Sequence, residues 1–322
     1  MTRVHIWGAS GYAAAELVRI LNTHPFVEII TLESRSHAGQ TMAEHFPRLR
    51  RSQYVFDAHG TTLERVRPGD IVFAAGAQGE AHEFVPQFLA AGARVIDLSA
   101  DYRFDDTATY GLSEWNRNSI AQSSLVANPG CYPTATLLAI LPLREIGPML
   151  ALIVDAKSGI TGAGRIPNVT SLFAEVAGDI RAYGLDGHRH QPEIERVLLQ
   201  NHIIAPLTFT PHVVPLAQGM LVDCYGLYAD CVDAAAVAAA FHGAYADEPF
   251  LSILNHRMAP SVKAVLGTNH AELRIDVRTN VVRVLCAIDN LGKGAAGQAV
   301  QNFNIMLGYP EETALNAHFA RI

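Results

Sequence analysis

The chain has 322 residues, 49% hydrophobic and 17% charged, with a formal net charge of −7. This describes a compact soluble protein long enough for two domains and excludes a disordered chain. Basic residues are scattered and no apolar run reaches membrane-spanning length, so neither a nucleic acid nor a membrane is expected as a partner.

From the start, Arg3 to Trp7 reads as a short strand, Gly8-Ala9-Ser10-Gly11 as a turn, Ala13 to Leu21 as a helix and Val27 to Leu32 as a second strand. This order opens a dinucleotide-binding fold. Gly8, Ser10, Gly11 and Tyr12 bring backbone N–H groups and a helix N-terminus to a pyrophosphate. Glu33 follows the second strand and precedes Ser34, Arg35 and Ser36. A guanidinium and hydroxyls there suit a ribose 2′-phosphate, which points to NADP over NAD. Further buried strands are expected at Ile71 to Ala75, Val95 to Leu98 and Leu125 to Ala127, with a helix from Glu80 to Ala91. Ala75 closes one strand and Arg103 follows another, where open parallel sheets place ligands, and Arg103 suits a bidentate clamp on carboxylate or phosphate.

Asn128-Pro129-Gly130-Cys131-Tyr132-Pro133-Thr134 sets one cysteine on a turn before a long apolar helical pattern, Thr134 to Leu143. Unpaired N–H groups and the positive end of the helix dipole favour thiolate over thiol, so Cys131 is a candidate nucleophile. The plainer reading is a small buried cysteine after a turn. The four cysteines, at 131, 224, 231 and 286, form no CxxC pair, and the chain opens on a strand without a signal core. Both features point to a cytoplasmic location.

Beyond about residue 149 the texture changes. Strands are expected at Leu152 to Ala156, Leu207 to Val214, Leu221 to Tyr228, Ala271 to Val277 and Val281 to Ala287, several in succession without a helix between them. Helices are expected at Gln191 to Gln200, Ala234 to Ala244 and Ala295 to Leu307. The fold class is therefore α/β: an N-terminal Rossmann-type parallel-sheet domain, residues 1–149 with 295–322, plus an α+β domain, 150–294, with a mostly antiparallel sheet. The broad face of that second sheet predicts a homo-oligomer. In Ser158 to Arg165, flexible backbone carries Arg165 to a site edge. His188 and His190, in His188-Arg189-His190-Gln191-Pro192-Glu193-Ile194, precede a Pro-initiated helix and suit proton exchange with Cys131 chemistry. A zinc site needs more ligands at matching spacing, so no metal is expected. Asn290 to Gln298 is another glycine-rich entry to a helix, in which Asn290 offers an amide and Lys293 an ammonium.

Taken together, GASGYAAAEL from Gly8, SRSHAG from Ser34, SADYRF from Ser99, NPGCYPT from Asn128, SGITGAGR from Ser158, HRHQPEI from His188 and the segment from Asn290 to Asn302 resemble the N-acetyl-γ-glutamyl-phosphate reductase family, relatives of aspartate-semialdehyde dehydrogenase. The resemblance implies NADP-dependent reduction of a small acyl phosphate to an aldehyde in arginine biosynthesis, by a homodimer or homotetramer. It also implies Cys131 as nucleophile and thioester carrier, with His188, ahead of His190, as acid/base. Asn128, Arg103, Arg165 and Lys293 would then hold substrate, and Ser158, Gly159 and Asn290 would join the glycine turn, Ala75 and Ser34 to Ser36 around the cofactor. Gly76-Ala77-Gln78 departs from the family's usual Leu-Pro-His, which predicts altered ribose contacts. Three other readings compete: an aminoadipyl-phosphate reductase of lysine biosynthesis, which keeps the chemistry and lengthens the substrate; aspartate-semialdehyde dehydrogenase itself, which the NPGCYPT and HRHQPEI wording disfavours; and a non-catalytic NADP-binding sensor, which needs only the glycine turn.

Overall fold

The computed structural model describes residues 1–167 and 169–315. Two compact units emerge: Met1–Pro129 with the chain from Ala295 onward, and Gly130–Gly294. The division falls after Pro129 instead of after residue 149. Of the terminal stretch expected in the first domain, residues 316–322 lie outside the described residues.

The first unit begins with β1 (Thr2–Trp7), α1 (Tyr12–Leu21), β2 (Val27–Glu33) and the short helices α2 (Met42–His45) and α3 (Thr61–Arg65). It continues with β3 (Ile71–Ala74), α4 (Ala81–Ala90), β4 (Arg94–Asp97), β5 (Thr109–Tyr110), α5 (Ser113–Gln122) and β6 (Leu125–Ala127). The six strands form one all-parallel sheet in the order β2-β1-β3-β4-β6-β5. Val4, Ile6, Ile71, Val72, Phe73, Val95, Ile96 and Val126 are buried, as continuous apolar strands of a sheet covered on both faces should be.

The order reverses between β1 and β3, the switch point at which such sheets bind ligands. There Gly8 takes a positive φ of 80°, and a Cβ on it would stand 2.4 Å from the Gly76 nitrogen. Gly76 has its own constraint, since a Cβ there would stand 2.2 Å from a Trp7 ring carbon. The Trp7 ring, packed 4.9 Å from Phe84, thus requires glycine at position 76.

The second unit contains α6 (Cys131–Ile140), β7 (Ala151–Ser158), α7 (Phe173–Val176), β8 (Arg181–Ala182), α8 (His190–Gln200), β9 (Leu207–Val213) and β10 (Met220–Leu227). After these come α9 (Ala234–Tyr245), β11 (Leu251–Ile253), α10 (Val262–Val265), β12 (Ala271–Arg278) and β13 (Val281–Ile288). A seven-stranded sheet runs β11-β12-β13-β10-β7-β9-β8, antiparallel except where β11 meets β12 and β7 meets β9. Every residue of α6 after Cys131 is buried, so this is a helix apolar all round, packed on β10, β13 and α8. That packing is why residues 130–149 belong with the second unit. On β7, Leu152, Val154 and Ala156 are buried while Ile153 stands 39% exposed on the other face, which also carries Tyr225 and the Asp223–Arg283 ion pair, 2.6 Å.

The last helix, α11 (Gly297–Leu307), returns to the first unit and packs on α5 and α1. A π-helical turn over Gly292–Ala296 precedes it, so the α-helix starts two residues later than its sequence pattern suggests. Among the described residues no helix is long and apolar enough to cross a membrane.

Replacing Gly8 by Ala forces an L-residue into the left-handed region and drives its Cβ into the Gly76 backbone. Gly8→Ala should therefore lose at least about 2 kcal/mol of stability in urea denaturation, whereas Gly11→Ala, with open space around the new Cβ, should lose less than about 1 kcal/mol.

Candidate active site

Cys131 is the first residue of α6, with Gly130 as N-cap. Sequence reading starts the helix at Thr134, after Pro133. Proline is tolerated in a first turn, where its missing N–H would have no intrahelical partner, so the helix begins three residues earlier. The same correction applies to α8, which begins at His190 with Pro192 inside its first turn, so His190 belongs to the helix it was expected to precede.

Two contacts fix the cysteine. The Gly130 N–H donates to Oε1 of Glu193 at 3.0 Å, tying the start of α6 to the first turn of α8 through a carboxylate only 1% exposed. Behind the cysteine, a Cβ on Gly294 would stand 2.8 Å from the Cys131 Cβ, so only glycine lets this backbone approach. Cys131 remains partly exposed, in a turn whose N–H groups have no helical acceptors.

Cys131, Tyr132, Ser158, Gly159, His188 and His190 line one cavity of about 500 Å³, together with Arg181, Tyr183 and Arg189. The His190 N–H donates to Nδ1 of His188 at 3.1 Å, which leaves Nε2 as the protonated nitrogen of neutral His188. The ring is enclosed by Tyr132, Tyr183, His190 and Phe209, with centroids 4.9–5.7 Å away. Burial, assisted by the neighbouring Arg189 charge, lowers its pKa to about 4, so the imidazole is neutral near pH 7. The Tyr183 hydroxyl donates to that of Tyr132 at 3.3 Å, which in turn donates to the His212 carbonyl at 3.3 Å. Burial raises the pKa of both phenols, keeping them as hydrogen-bond donors.

Other sequence candidates stand elsewhere. Asn290 accepts the Gly219 N–H at 2.6 Å and donates to Oγ1 of Thr161 at 3.0 Å, fastening the Gly159 loop instead of facing the cavity. Its neighbour Asp289, fully buried, accepts from Gly267, Leu291, Gly292 and Gln218. Lys293 is also fully buried, its Nζ 5.9 Å from the Phe250 ring centre, and neither it nor Arg165 lines the cavity. In the first unit, Arg103 donates to the carbonyls of Asn128 and Leu98, at 2.9 and 3.2 Å. The Asn128 side chain donates to the Ala295 carbonyl and accepts from Asn302, both at 3.1 Å. These are framework bonds. Arg181, Arg189, Tyr132 and Tyr183 line the cavity without having been singled out from the sequence: Tyr132 and Arg189 fall within the cysteine and histidine motifs, while Arg181 and Tyr183 carry no spacing signal.

The first unit gathers the dinucleotide candidates at its switch point. Ala9 N–H, in the glycine turn, donates to the Glu33 carbonyl at 2.8 Å, and Ala75 N–H donates to that of Trp7 at 2.8 Å. Gly11 caps α1, and Tyr12 is its first residue. Ser34 is 2% exposed, and its Oγ bonds to no described residue. Arg35 pairs with Glu80 and lies 5.9 Å from the Phe84 ring centre, and Ser36 is exposed.

Comparison with known proteins accords with this division. The family described as "Semialdehyde dehydrogenase, NAD binding domain" matches residues 3–123, and "Semialdehyde dehydrogenase, dimerisation domain" matches 131–290. N-acetyl-γ-glutamyl-phosphate reductases of Desulforamulus reducens and of Geobacter strain M21 are 41% and 44% identical, each alignment covering 98% of both chains. That of Neisseria gonorrhoeae is 42% identical over 97% of this chain and 96% of its own. The chain belongs to the N-acetyl-γ-glutamyl-phosphate reductase family. Solved structures similar to it include a probable aspartate-semialdehyde dehydrogenase from Pseudomonas aeruginosa, with TM-score 0.76 and 20% identity over 95% of this chain and 98% of that one. Another is aspartate-semialdehyde dehydrogenase with NADP from Candida albicans, with TM-score 0.71 and 15% identity over 95% of this chain and 98% of that one. These likenesses show the two-domain fold of the family.

The depressed His188 pKa carries a sign. Folding disfavours the imidazolium, so unfolding takes up a proton between pH 6.5 and about 4, and stability falls as the pH drops through that window. Urea denaturation from pH 7 to 4.5 should show this fall, and His188→Asn should flatten it.

Proposed function

We propose that the chain catalyses NADPH-dependent reduction of N-acetyl-γ-glutamyl phosphate to N-acetyl-L-glutamate 5-semialdehyde and phosphate, with Cys131 as nucleophile. One observation carries this reading: in a chain akin to reductases of that name over nearly its full length, Cys131 at a helix N-terminus shares one cavity with His188 and His190.

The Cys131 thiolate attacks the γ-acyl carbon, the C–O bond to phosphate breaks, and a thioester remains on the enzyme. NADPH supplies the hydride that reduces the thioester carbonyl. Collapse of the resulting thiohemiacetal releases the aldehyde and returns the thiolate. Neutral His188, with its proton on Nε2, suits hydrogen bonding to the oxyanion that develops on the carbonyl, and the phenol pair keeps the ring in place. Arg181 and Arg189 line the Cys131 cavity, unlike the buried Lys293, and offer cationic groups to phosphate and carboxylate. Ser158 and Gly159 form its wall through the loop that Asn290 fastens.

Gly8 to Tyr12, Ala75 and Ser34 to Ser36 fit the cofactor. The turn admits no Cβ at Gly8, α1 directs unpaired N–H groups at its start, and the buried Ser34 hydroxyl lacks a partner that a phosphate would provide. The open face of the second sheet, with Ile153 and Tyr225, favours a homodimer or a homotetramer built from such dimers. Four free thiols suit the reducing cytoplasm.

Phosphate-dependent reduction of NADP by N-acetylglutamate semialdehyde tests the reading. The wild type should turn over, Cys131→Ser should fall at least ~10³-fold, and His188→Asn should fall about 10²-fold or more. A preference for the one-carbon-longer aminoadipate compound would move the substrate, and NADP binding without turnover would leave only a binding protein.

A further inference from the structure

Where NAD-binding folds place an acidic side chain to accept the ribose 2′-hydroxyl, at the end of the second strand, this chain also has a carboxylate, and it faces elsewhere. Glu33 ends β2 and is only 2% exposed. Its Oε1 accepts the Gly60 N–H at 3.0 Å and lies 2.9 Å from Nδ1 of His59, and its Oε2 accepts the Thr62 N–H at 2.9 Å. Gly60 is the N-cap of α3 and Thr62 its second residue, so both oxygens are occupied by the start of that helix. The Glu33 main chain meanwhile holds the glycine turn, through Ala9 N–H, and Ser34 N–H donates to the Asp57 carbonyl at 3.0 Å.

We propose that Glu33 is a coenzyme-selectivity residue that acts by withdrawal: α3 and His59 hold its carboxylate away from the strand end, leaving that position to Ser34, Arg35 and Ser36. The proposal rests on the NADP reading above. A carboxylate free at this point would accept from a 2′-hydroxyl and repel a 2′-phosphate. Held on α3, Glu33 does neither. Ser34 offers a buried hydroxyl bonded to no described residue, and Arg35 is 51% exposed in its pair with Glu80, a surface contact whose exchange for a phosphate costs little. Glu33 touches no ligand in this scheme and is a positioning residue.

Two substitutions separate its charge from its reach. Glu33→Asp keeps the charge but is one methylene too short to hold the α3 amides, so the carboxylate returns to the strand end. Glu33→Gln keeps the reach and removes the charge. Dissociation constants of NADPH and NADH are measured by calorimetric titration of the full chain without acyl substrate. The NADPH preference should fall about tenfold or more in Glu33→Asp, by weaker NADPH and equal or tighter NADH binding, and stay within about threefold of wild type in Glu33→Gln. An unchanged ratio in Glu33→Asp, or an equal loss in both variants, would overturn the proposal, since mere loosening of α3 would affect both alike. His59→Ala, at a 44% exposed side chain, gives a milder release of the same carboxylate and should shift the ratio in the same direction. A wild type with no preference for NADPH would instead overturn the cofactor reading itself.

Discussion

The hydrogen bond from the Gly130 N–H to the buried Glu193 carboxylate is the contact on which the geometry around Cys131 depends. It joins the first turn of α6, which carries Cys131, to the first turn of α8, which carries His190 and follows His188. Losing a hydrogen bond to a buried charged group costs roughly 1–3 kcal/mol, and Cys131 and the two histidines would lose a common reference. The Asp289–Asn290 pair supports the wall formed by the Gly159 loop, because its bonds to Gly219, Gln218 and Thr161 hold that loop while the same turn leads to Gly294 beneath Cys131.

Charge in this cavity is managed by burial. An imidazole enclosed by three aromatic rings and a second histidine stays neutral, and two buried phenols stay protonated. The groups beside Cys131 are therefore mostly neutral donors, suited to an oxyanion that appears and vanishes within each turnover. Arg181 and Arg189 add fixed positive charge at the wall of the same cavity. In the first unit the constraint on the turn after β1 is steric, since Gly8 and Gly76 bring two strand ends into direct backbone contact.

Much of this was legible in the sequence because it rests on local rules. The glycine turn after β1, the alternation of strands and helices and the change to an antiparallel sheet follow from spacing and turn chemistry, whereas the grouping of Cys131 with His188 and His190 was legible through the family resemblance, since sequence distance alone does not bring them together. Helix starts were misplaced at Cys131 and His190 because proline reads as a boundary, yet in a first turn it forfeits no hydrogen bond. Arg103, Asn290 and Lys293 looked like ligand groups because they follow strand ends or glycines. Their partners, the Asn128 and Leu98 carbonyls, Thr161 and the Phe250 ring, come from other elements and carry no periodicity. Tyr183 escaped notice for the same reason, and Gly76 is explained only by the ring of Trp7.

The central claim is that Cys131 carries the acyl group as a thioester, and mass spectrometry of the acid-quenched protein and of its peptides tests it most directly. The chain is mixed with N-acetyl-γ-glutamyl phosphate in the absence of NADPH, quenched in acid and digested. One N-acetylglutamyl adduct per chain on the Cys131 peptide, labile to hydroxylamine and formed with stoichiometric phosphate release, is the expected result. Phosphate release with no adduct, or an adduct on Cys231 or another residue, would contradict it.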